Sequence, residues 1–431
     1  MTSATHNKKF SLIFACDLRM KSIWKHIKGW AKRHPRRVKI ATKVALTPIF
    51  IILLLFVVTS VSAVYDFGEP KPFSGDAIYN PYADVDTTYG WKRANLHTHS
   101  RVEGIFNECD ETPKQICDEY AKYGYEIVQI SNHNEITPHP YGDDKWVSLY
   151  EHGFNLLKFH INVYGSKETT LFDHALPIFD FQRQFQIDML ADDAIMVQFN
   201  HPQRVPGVDK KSMERIGGYR LIELSRVIEH ENREWDWALS AGHYSFGLHN
   251  DDLHDFKKSK NVAIRSTVLN TPSTSGEDIT KTLYDGRFYA LYTPDFGDGD
   301  MATKIEKNLT IPYVRNIGMR GDTIYISFTE RADSIRFTGQ NQRLLHSAYN
   351  CDTASYAMRA EDSYARITAY FADGERIYSN PFARYDAETM DSPFENRDHS
   401  VNIPLTIVFN LVLLALVVGL GLAMYKVYFK W

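Results

Sequence analysis

The chain has 431 residues, of which 44% are hydrophobic, 13% aromatic and 24% charged, a composition that excludes a wholly disordered chain. Its length is too great for one small domain. The net charge of −4 is unevenly spread: residues 1–40 hold eleven Lys or Arg and one acidic residue, and the remainder holds 38 basic and 52 acidic residues. Because nucleic-acid binding needs a basic surface, the acidic remainder argues against a broad nucleic-acid interface.

Two apolar runs frame the chain. Residues 44–64 (VALTPIFIILLLFVVTSVSAV) and 403–424 (IPLTIVFNLVLLALVVGLGLAM) are each long enough to cross a bilayer as a helix. The basic segment 1–43 precedes the first run and the short tail 425–431, with two lysines, follows the second, so the positive-inside rule predicts that both termini are cytoplasmic. We therefore expect the chain to be anchored in the cell (inner) membrane, with the part between the runs on the periplasmic or extracellular side.

The sequence pattern divides the region between the apolar runs into two linkers and two domains. Residues 65–90 are rich in Gly, Pro, Asp and Tyr and predict a linker, and the polar residues 387–402 predict a second one. In residues 91–304 short apolar runs alternate with helical patterns, which is typical of a β/α domain. In residues 305–386 apolar and polar residues alternate and Asp373-Gly374 indicates a hairpin, so this part predicts a small antiparallel β-sandwich.

One β/α unit is clear from local signals. Thr112 can cap a helix that starts at Pro113, with Gln115 as the partner of a capping box, and Gly124 ends that helix. The apolar run 126–130 then predicts a strand, which leads directly into a histidine.

Histidines follow four of the predicted strands. If these strands are parallel neighbours, their carboxyl ends converge and the imidazoles meet in one pocket. Imidazoles with a few carboxylates suit zinc, manganese or iron. The residues concerned are His97 and His99, which share one face of an extended segment, His133, His201, and Asp252 with His254.

The segments LHTHS, NHN, NHP and DDLH occur in the order of the four signature motifs of the PHP (polymerase and histidinol phosphatase) family and resemble them over about residues 91–295. The stretch DITKTLYDGRFYALYTPDFGDGD, with the predicted sandwich after it, is similar to a carbaryl-hydrolase-like, membrane-associated branch. The resemblance implies a distorted (β/α)7 barrel that holds two or three divalent ions.

The resemblance also implies a set of ligands, position by position. A first metal is expected on His97, His99 and Asp252, and Glu168 is expected to bridge it to a second metal on His174 and His201. A third is expected on His133, His254 and Glu103. Asn132 stands where the family has an aspartate, which puts the affinity of the third site in question.

Other polar residues have weaker claims. Arg204, just after the NHP motif, and His243 are candidates for contact with the substrate. Glu223, at the end of a short apolar run, is expected to support a ligand or the fold and not to take part in catalysis. Cys109 and Cys117 are close enough in sequence to pair, but the sequence leaves this open.

These features predict a membrane-anchored hydrolase that attacks a small phosphate ester with a hydroxide bridging the metals. Hydrolysis of a carboxylic or carbamate ester by the same hydroxide is an alternative, because both reactions place negative charge beside the metals. A non-catalytic metal-binding receptor or scaffold is a second alternative. No GxSxG motif is present, so nothing in the sequence indicates a serine nucleophile of that type.

Overall fold

The computed structural model describes residues 24, 28–103, 107–225, 232–256, 261–296, 300–396 and 399–430. The chain divides into two compact units, one formed by Ser62–Ile407 and the other by Met1–Val61 with Val408–Trp431.

The helices and strands of the described residues are as follows. The helices are α1 (Pro35–Val58), α2 (Pro113–Ala121), α3 (Asp180–Ala191), α4 (Lys210–Met213), α5 (Arg233–Ala241), α6 (Gly276–Asp285), α7 (Met301–Leu309) and α8 (Ile403–Tyr425). The strands are β1 (Tyr65–Phe67), β2 (Ala77–Tyr79), β3 (Lys92–Asn95), β4 (Ile127–Val128), β5 (Leu149–His152), β6 (Ile161–Tyr164), β7 (Met196–Phe199), β8 (Leu221–Glu223), β9 (Phe246–Leu248), β10 (Arg265–Leu269), β11 (Phe288–Tyr292), β12 (Val314–Arg320), β13 (Thr323–Gly339), β14 (Arg343–Ala357), β15 (Tyr364–Tyr370), β16 (Arg376–Ser379), β17 (Phe382–Tyr385) and β18 (His399–Val401).

Helix α1 contains residues 44–58 of the first apolar run and helix α8 contains the second run; both helices are long and apolar enough to cross a membrane. Helix α8 matches the predicted run 403–424 closely. Helix α1 begins nine residues before the predicted run 44–64 and ends at Val58, where the hydroxyl of Thr59 donates a hydrogen bond to the Leu55 carbonyl. Whether these helices span a bilayer, and in which direction, stays a prediction.

The strands that carry the site lie in two sheets. Strands β3 and β4 are parallel neighbours at one end of a larger sheet, whereas β5 to β9 form a second sheet in sequence order. Two isolated parallel bridges, Thr98 to Leu253 and His133 to Glu151, join segments that follow the strands. No continuous closed barrel forms among the residues described, so the expected (β/α)7 barrel is corrected to a mixed α/β arrangement of two sheets.

The pairing of β5, β6 and β7 gives one reason for the difference. Strand β6 is antiparallel to both of its neighbours, and β5 and β6 are joined by a loop (residues 153–160) instead of a crossover helix. The chain therefore reverses twice where a β/α repeat would keep one direction.

The later strands also differ from the expectation of a separate sandwich. Strand β16 pairs with β11, so β12, β13, β15 and β16 continue the sheet that contains β10 and β3. The turn at Asp373-Gly374 is confirmed: the Gly374 amide donates to the Phe371 carbonyl, and Gly374 has a φ of +97°. The linker predicted at residues 65–90 contains β1 and β2, which pair with β18 and β17.

The local prediction for helix α2 is confirmed. Thr112 and Gln115 form a capping box, and Pro113 is the first helical residue. The buried Ile116 and Tyr120 pack in a core cluster beneath this helix, which fixes the strand that follows it and the position of His133 beyond that strand.

Candidate metal centre

The carboxylate of Glu151 lies at the centre of a buried histidine cluster. Glu151 is on β5, its side chain is 1% exposed, and each of its two oxygens faces a different set of imidazoles. The Oε1 atom lies 3.3 Å from His97 Nε2, 3.1 Å from His160 Nδ1 and 3.4 Å from His201 Nε2; the Oε2 atom lies 3.2 Å from His99 Nε2 and 3.2 Å from His133 Nε2.

A second carboxylate, Asp252, closes one side of the cluster. Its Oδ1 atom lies 3.2 Å from His97 Nε2 and 3.1 Å from His99 Nε2, and its Oδ2 atom accepts a bond of 2.5 Å from Arg204. Asp252 has a φ of +49°, a left-handed conformation that non-glycine residues seldom adopt. Such conformations persist where the surrounding structure enforces them, and they concentrate at functional sites.

A third carboxylate, Glu108, lies at the more exposed edge. Its Oε2 atom is 3.0 Å from His254 Nε2 and 3.3 Å from His133 Nε2. The ring of His254 stacks on that of His99, with centroids 4.1 Å apart, so this edge is continuous with the buried part of the cluster.

The candidate ligand atoms fall into three overlapping groups, within each of which they lie no more than 4.8 Å apart. Two donors that share a zinc ion at about 2.1 Å lie about 3.0–3.5 Å from each other, which is the spacing found around Glu151. The groups are His97, His99, Glu151 and Asp252; His133, Glu151 and His160; and His99, Glu108, His133 and His254.

The hydrogen bonding of His97 also fits a metal. Its Nε2 atom is fully buried and makes no hydrogen bond to any residue that the structure describes, although two carboxylate oxygens lie 3.2 and 3.3 Å away. A buried polar atom of this kind is costly unless something else satisfies it. A divalent cation between these oxygens and the imidazole nitrogen would do so.

Glu223 holds the other face of His97. The Glu223 carboxylate lies 3.2 Å from His97 Nδ1 and accepts a bond of 3.0 Å from the backbone amide of His201. In the carboxylate–histidine–zinc arrangement a carboxylate on Nδ1 holds the proton of that nitrogen, so that Nε2 can bind the metal. Glu223 therefore contacts both the His97 ring and the backbone of His201, whose φ is +30°.

The electrostatics of the cluster reflect its paired charges. Burial acts to lower the pKa of His97, but neighbouring carboxylates, Glu151 first, outweigh it and hold that pKa well above its usual value. Burial acts to raise the pKa of Glu151, and the surrounding imidazoles, His97 first, hold it well below its usual value. The pKa of Glu108 is also low, because His133 and His254 hydrogen-bond to it. The carboxylates of Glu151 and Glu108 are thus ionised at neutral pH, which is the form in which carboxylates bind cations.

The structure brings six of the sequence-predicted ligands together: His97, His99, His133, His201, Asp252 and His254. It does not bring the other three to this cluster. Glu103 is exposed, and Glu108, five residues later, faces His133 and His254. We therefore correct the carboxylate of the third group from Glu103 to Glu108.

Glu168 and His174 require the same correction. Glu168 is exposed in the loop after β6, where its backbone carbonyl accepts a hydrogen bond from Ser166. His174 is fully buried, but its ring packs against Phe172 and Phe185, with centroids 5.2 and 5.9 Å away. Glu151 and His160 occupy the positions that the sequence argument gave to this pair. The sequence signal for Glu151 was its place in the strand LYEH, and His160 directly precedes the strand β6.

The two residues proposed for substrate contact have different surroundings. Arg204 lies beside Asp252 with its side chain 35% exposed, so it is at the edge of the cluster and reaches solvent. His243 Nε2 donates to the Glu214 carbonyl at 2.8 Å, and its Nδ1 atom lies 2.7 Å from where a Cβ on Gly217 would be. His243 is therefore packed between backbone segments, and we withdraw it as a substrate contact.

Asn132 makes hydrogen bonds within the fold, and the two cysteines do not form a disulfide. The Asn132 side-chain oxygen accepts from the Ser100 amide at 2.8 Å, and its nitrogen donates to Ser100 and Thr137 hydroxyls. This amide ties the HTHS segment to the segment of His133 without touching a candidate ligand atom. Cys109 and Cys117 are both free thiols in the structure.

Comparison with known proteins gives little support of its own. No family model matches the chain, and no curated protein matches it. Among solved structures, a two-domain protein containing a predicted PHP-like metal-dependent phosphoesterase from Bacteroides vulgatus ATCC 8482 is similar, with a TM-score of 0.36 and 13% sequence identity over 73% of this chain and 100% of that one. Similarity at this level establishes neither fold nor activity, and the assignment of the site rests on its own geometry.

Proposed function

We propose that this protein is a metal-dependent phosphoesterase whose reaction takes place at the Glu151 cluster. The observation that carries the proposal is the position of the Glu151 carboxylate, with both oxygens within 3.1–3.4 Å of five imidazoles at a buried site. A carboxylate surrounded by this many imidazoles suits more than one cation.

The residues divide naturally among ions. His97, His99 and Asp252 would hold one ion, and His160 with His201 a second, with Glu151 between them. Glu108, His133 and His254 would hold a third at the more exposed edge. Bound divalent ions of this class ionise water near neutral pH and neutralise charge on a phosphoryl group. Zinc, manganese and iron all suit this mixture of imidazole and carboxylate donors.

Arg204 favours a phosphate ester over a carboxylic or carbamate ester. Its guanidinium lies at the partly open edge of the cluster, held there by Asp252 at 2.5 Å. A planar guanidinium matches the paired oxygens of a phosphate, whereas an uncharged ester offers it one carbonyl oxygen. We expect Arg204 to orient an anionic substrate, while the imidazoles and carboxylates hold the cations.

The test is hydrolysis by the purified full-length chain. With added manganese or zinc, we expect release of p-nitrophenol from bis(p-nitrophenyl) phosphate, and we expect EDTA or His97→Ala to abolish it. Replacing Arg204 by Gln should lower kcat/KM for the phosphate about tenfold, the worth of one charge-assisted hydrogen bond, and leave hydrolysis of p-nitrophenyl acetate nearly unchanged.

Two results would count against the proposal. Phosphate hydrolysis that persists in EDTA would remove the metal from the reaction. Absence of hydrolysis of either ester by a fully metal-loaded chain would favour the receptor alternative.

We further propose that α1 and α8 anchor the chain in the cell membrane with both termini cytoplasmic. The support is the length and apolar composition of both helices, together with the basic residues that precede α1 and follow α8. The metal centre would then face the periplasmic or extracellular side.

A further inference from the structure

Two loops that are tied to each other carry exposed apolar side chains beside the metal cluster. The first, residues 153–160, joins β5 to β6. It therefore begins just after Glu151 and ends at His160, which are both members of the cluster. The second, residues 165–175, follows β6. We call these two segments the rim loops.

Backbone hydrogen bonds hold the rim loops together. The Phe154 amide donates to Asp173 Oδ2 at 2.8 Å, and the Leu156 amide donates to the Ala175 carbonyl at 3.2 Å. The two loops therefore form one surface, and the apolar side chains of the first loop are held at a fixed distance from the second.

The first rim loop is also fixed from within. The buried side chain of Asn155 accepts from the Phe159 amide at 2.9 Å and donates to the Phe159 carbonyl at 2.7 Å. Phe159 is fully buried, and its ring packs against that of Phe199 with centroids 5.2 Å apart. The backbone on either side of Leu156 is thus anchored in the core.

These anchored loops nevertheless present large apolar side chains to solvent. Phe154 is 43% exposed, Leu156 68% and Leu171 83%. Single exposed apolar residues are common on soluble proteins. Several of them on one fixed surface beside a polar site are typical of a ligand-binding region, in which apolar side chains surround a few polar groups.

Phe154 brings this surface into contact with the metal cluster. Its ring lies 5.2 Å from the ring of His133, at an angle of 35° between the planes. His133 Nε2 in turn lies 3.2 Å from Glu151 and 3.3 Å from Glu108, at the more exposed edge of the cluster. A molecule held by an ion at this edge would therefore have the Phe154 ring beside it.

The cluster thus offers both charge and apolar surface to a ligand that enters from solvent. The partly exposed guanidinium of Arg204 lies beside Asp252, whereas the Phe154 ring lies beside His133. A phosphate ester with an apolar alcohol group matches both features, because its phosphate is an anion and its alcohol group gains from leaving water.

We infer that the substrate is a phosphate ester of an apolar alcohol and that Phe154 recognises the apolar group, with Leu156 and Leu171 extending the surface. This inference rests on the phosphoesterase function proposed above and names its substrate class. Esters of sugars or glycerol are disfavoured, because hydroxyl groups that pack against these side chains lose their hydrogen bonds to water.

Isothermal titration of the metal-loaded full chain with methylphosphonate and hexylphosphonate tests the inference. The two probes carry the same anionic group and differ only in the length of the alkyl chain. Burial of one methylene strengthens binding about fourfold. Partial cover of the longer chain by the rim loops should therefore make hexylphosphonate bind at least about tenfold more tightly than methylphosphonate.

Variants assign this difference to Phe154. Phe154→Ala should reduce the ratio of the two dissociation constants at least about threefold, and Phe154→Leu should retain most of it. Phe179→Ala should leave the ratio unchanged; it is a matched control, because Phe179 is 47% exposed and lies outside the rim loops, where its ring stacks on Phe181. A purely structural effect on His133 would weaken both probes equally and leave the ratio at the wild-type value.

The outcomes separate this inference from the phosphoesterase proposal. Equal binding of the two probes, or an unchanged ratio in Phe154→Ala, overturns the inference even if bis(p-nitrophenyl) phosphate is hydrolysed. A ratio that depends on Phe154, in a chain that hydrolyses no phosphate ester, overturns the phosphoesterase proposal and leaves Phe154 as the contact for an apolar phosphate ligand. Absence of binding of either probe, with manganese or zinc present, overturns both.

Discussion

Two neighbouring stretches of this chain each carry a glutamate followed by a histidine, and the fold gives them different roles. In the hairpin β5–β6, Glu151 Oε1 lies 3.1 Å from His160 Nδ1 at the centre of the candidate metal cluster. In the loop after β6, Glu168 faces solvent and His174 packs among phenylalanines. The same pair of residue types therefore makes a metal site in one stretch and a surface group with an aromatic contact in the other.

The difference comes from what surrounds each pair. The isolated bridge between His133 and Glu151 places the glutamate beside the segment that follows β4, and this segment carries one of the motif histidines. The loop after β6 has no bridge of this kind to the segment after β4. Thr170 joins this loop to β5, because its amide donates to the Tyr150 hydroxyl and its carbonyl lies 3.1 Å from His152 Nδ1. The residue type therefore shows only that a side chain could bind a metal, whereas the register of its strand determines whether it lies at the site.

The largest expected effect comes from the two glutamates. Glu151→Gln removes the charge shared by all five imidazoles and should lower metal affinity by more than about a hundredfold, since even supporting groups around a metal cost about 10–100-fold. Hydrolysis should fall with the metal content. Glu168→Gln, a matched change at an exposed position, should leave both at the wild-type level. Elemental analysis after gel filtration measures the metal content of both variants. Equal losses of metal in the two variants would contradict the different roles of Glu151 and Glu168.

The two histidines give the next test. His160→Phe should lower metal stoichiometry and weaken the remaining binding by about a hundredfold, because it deletes a nitrogen that faces Glu151. His174→Phe keeps an aromatic ring beside Phe172 and Phe185 and should leave metal stoichiometry unchanged. Isothermal titration with manganese or zinc separates them. A loss of metal in His174→Phe, with a normal melting temperature, would return His174 to the ligand set.

Glu223, which lies outside the hairpin, tests whether a residue that contacts a candidate ligand also affects metal binding. Glu223→Gln should weaken metal binding about tenfold, because an amide holds His97 and the His201 amide less firmly than a carboxylate does. A purely structural role predicts a lower melting temperature with unchanged affinity. The informative readout is therefore the metal titration carried out well below the melting temperature of the variant.

The smallest effect is expected where the two stretches touch. Tyr150→Phe removes the hydroxyl that accepts from the Thr170 amide at 3.1 Å and should lower the free energy of unfolding by about 1 kcal/mol. Metal content should not change, because this bond anchors the loop and not the hairpin. Thermal melting of the metal-loaded chain measures the loss, and a coincident loss of metal would show that the loop supports the site.

Much of the site could be predicted from sequence because its members come in short motifs. The i, i+2 pair His97 and His99, the pair Asp252 and His254, and the single histidines at strand ends all lie in the cluster. Glu151 and His160 could not be identified in the same way. Their contact depends on an antiparallel hairpin within a region that was expected to repeat β/α units, and on the register that places Glu151 opposite Asn162.

The fold was predictable to a similar extent. Local signals gave helix α2, with its cap at Thr112, the hairpin at Asp373 and two long apolar helices. The arrangement of strands into sheets was not predictable, because pairs such as β11 with β16 join residues nearly ninety positions apart. Pairings of that kind are set by packing of the whole domain, which no local pattern records.

The most direct test of the central claim is the anomalous-diffraction map of a crystal soaked or grown with manganese or zinc. We predict metal peaks on both sides of the Glu151 carboxylate, about 2.0–2.2 Å from its oxygens and from the imidazoles of His97, His99, His160 and His201. Peaks bound by Glu168 and His174, or metal-loaded protein with no peak at Glu151, would contradict the account.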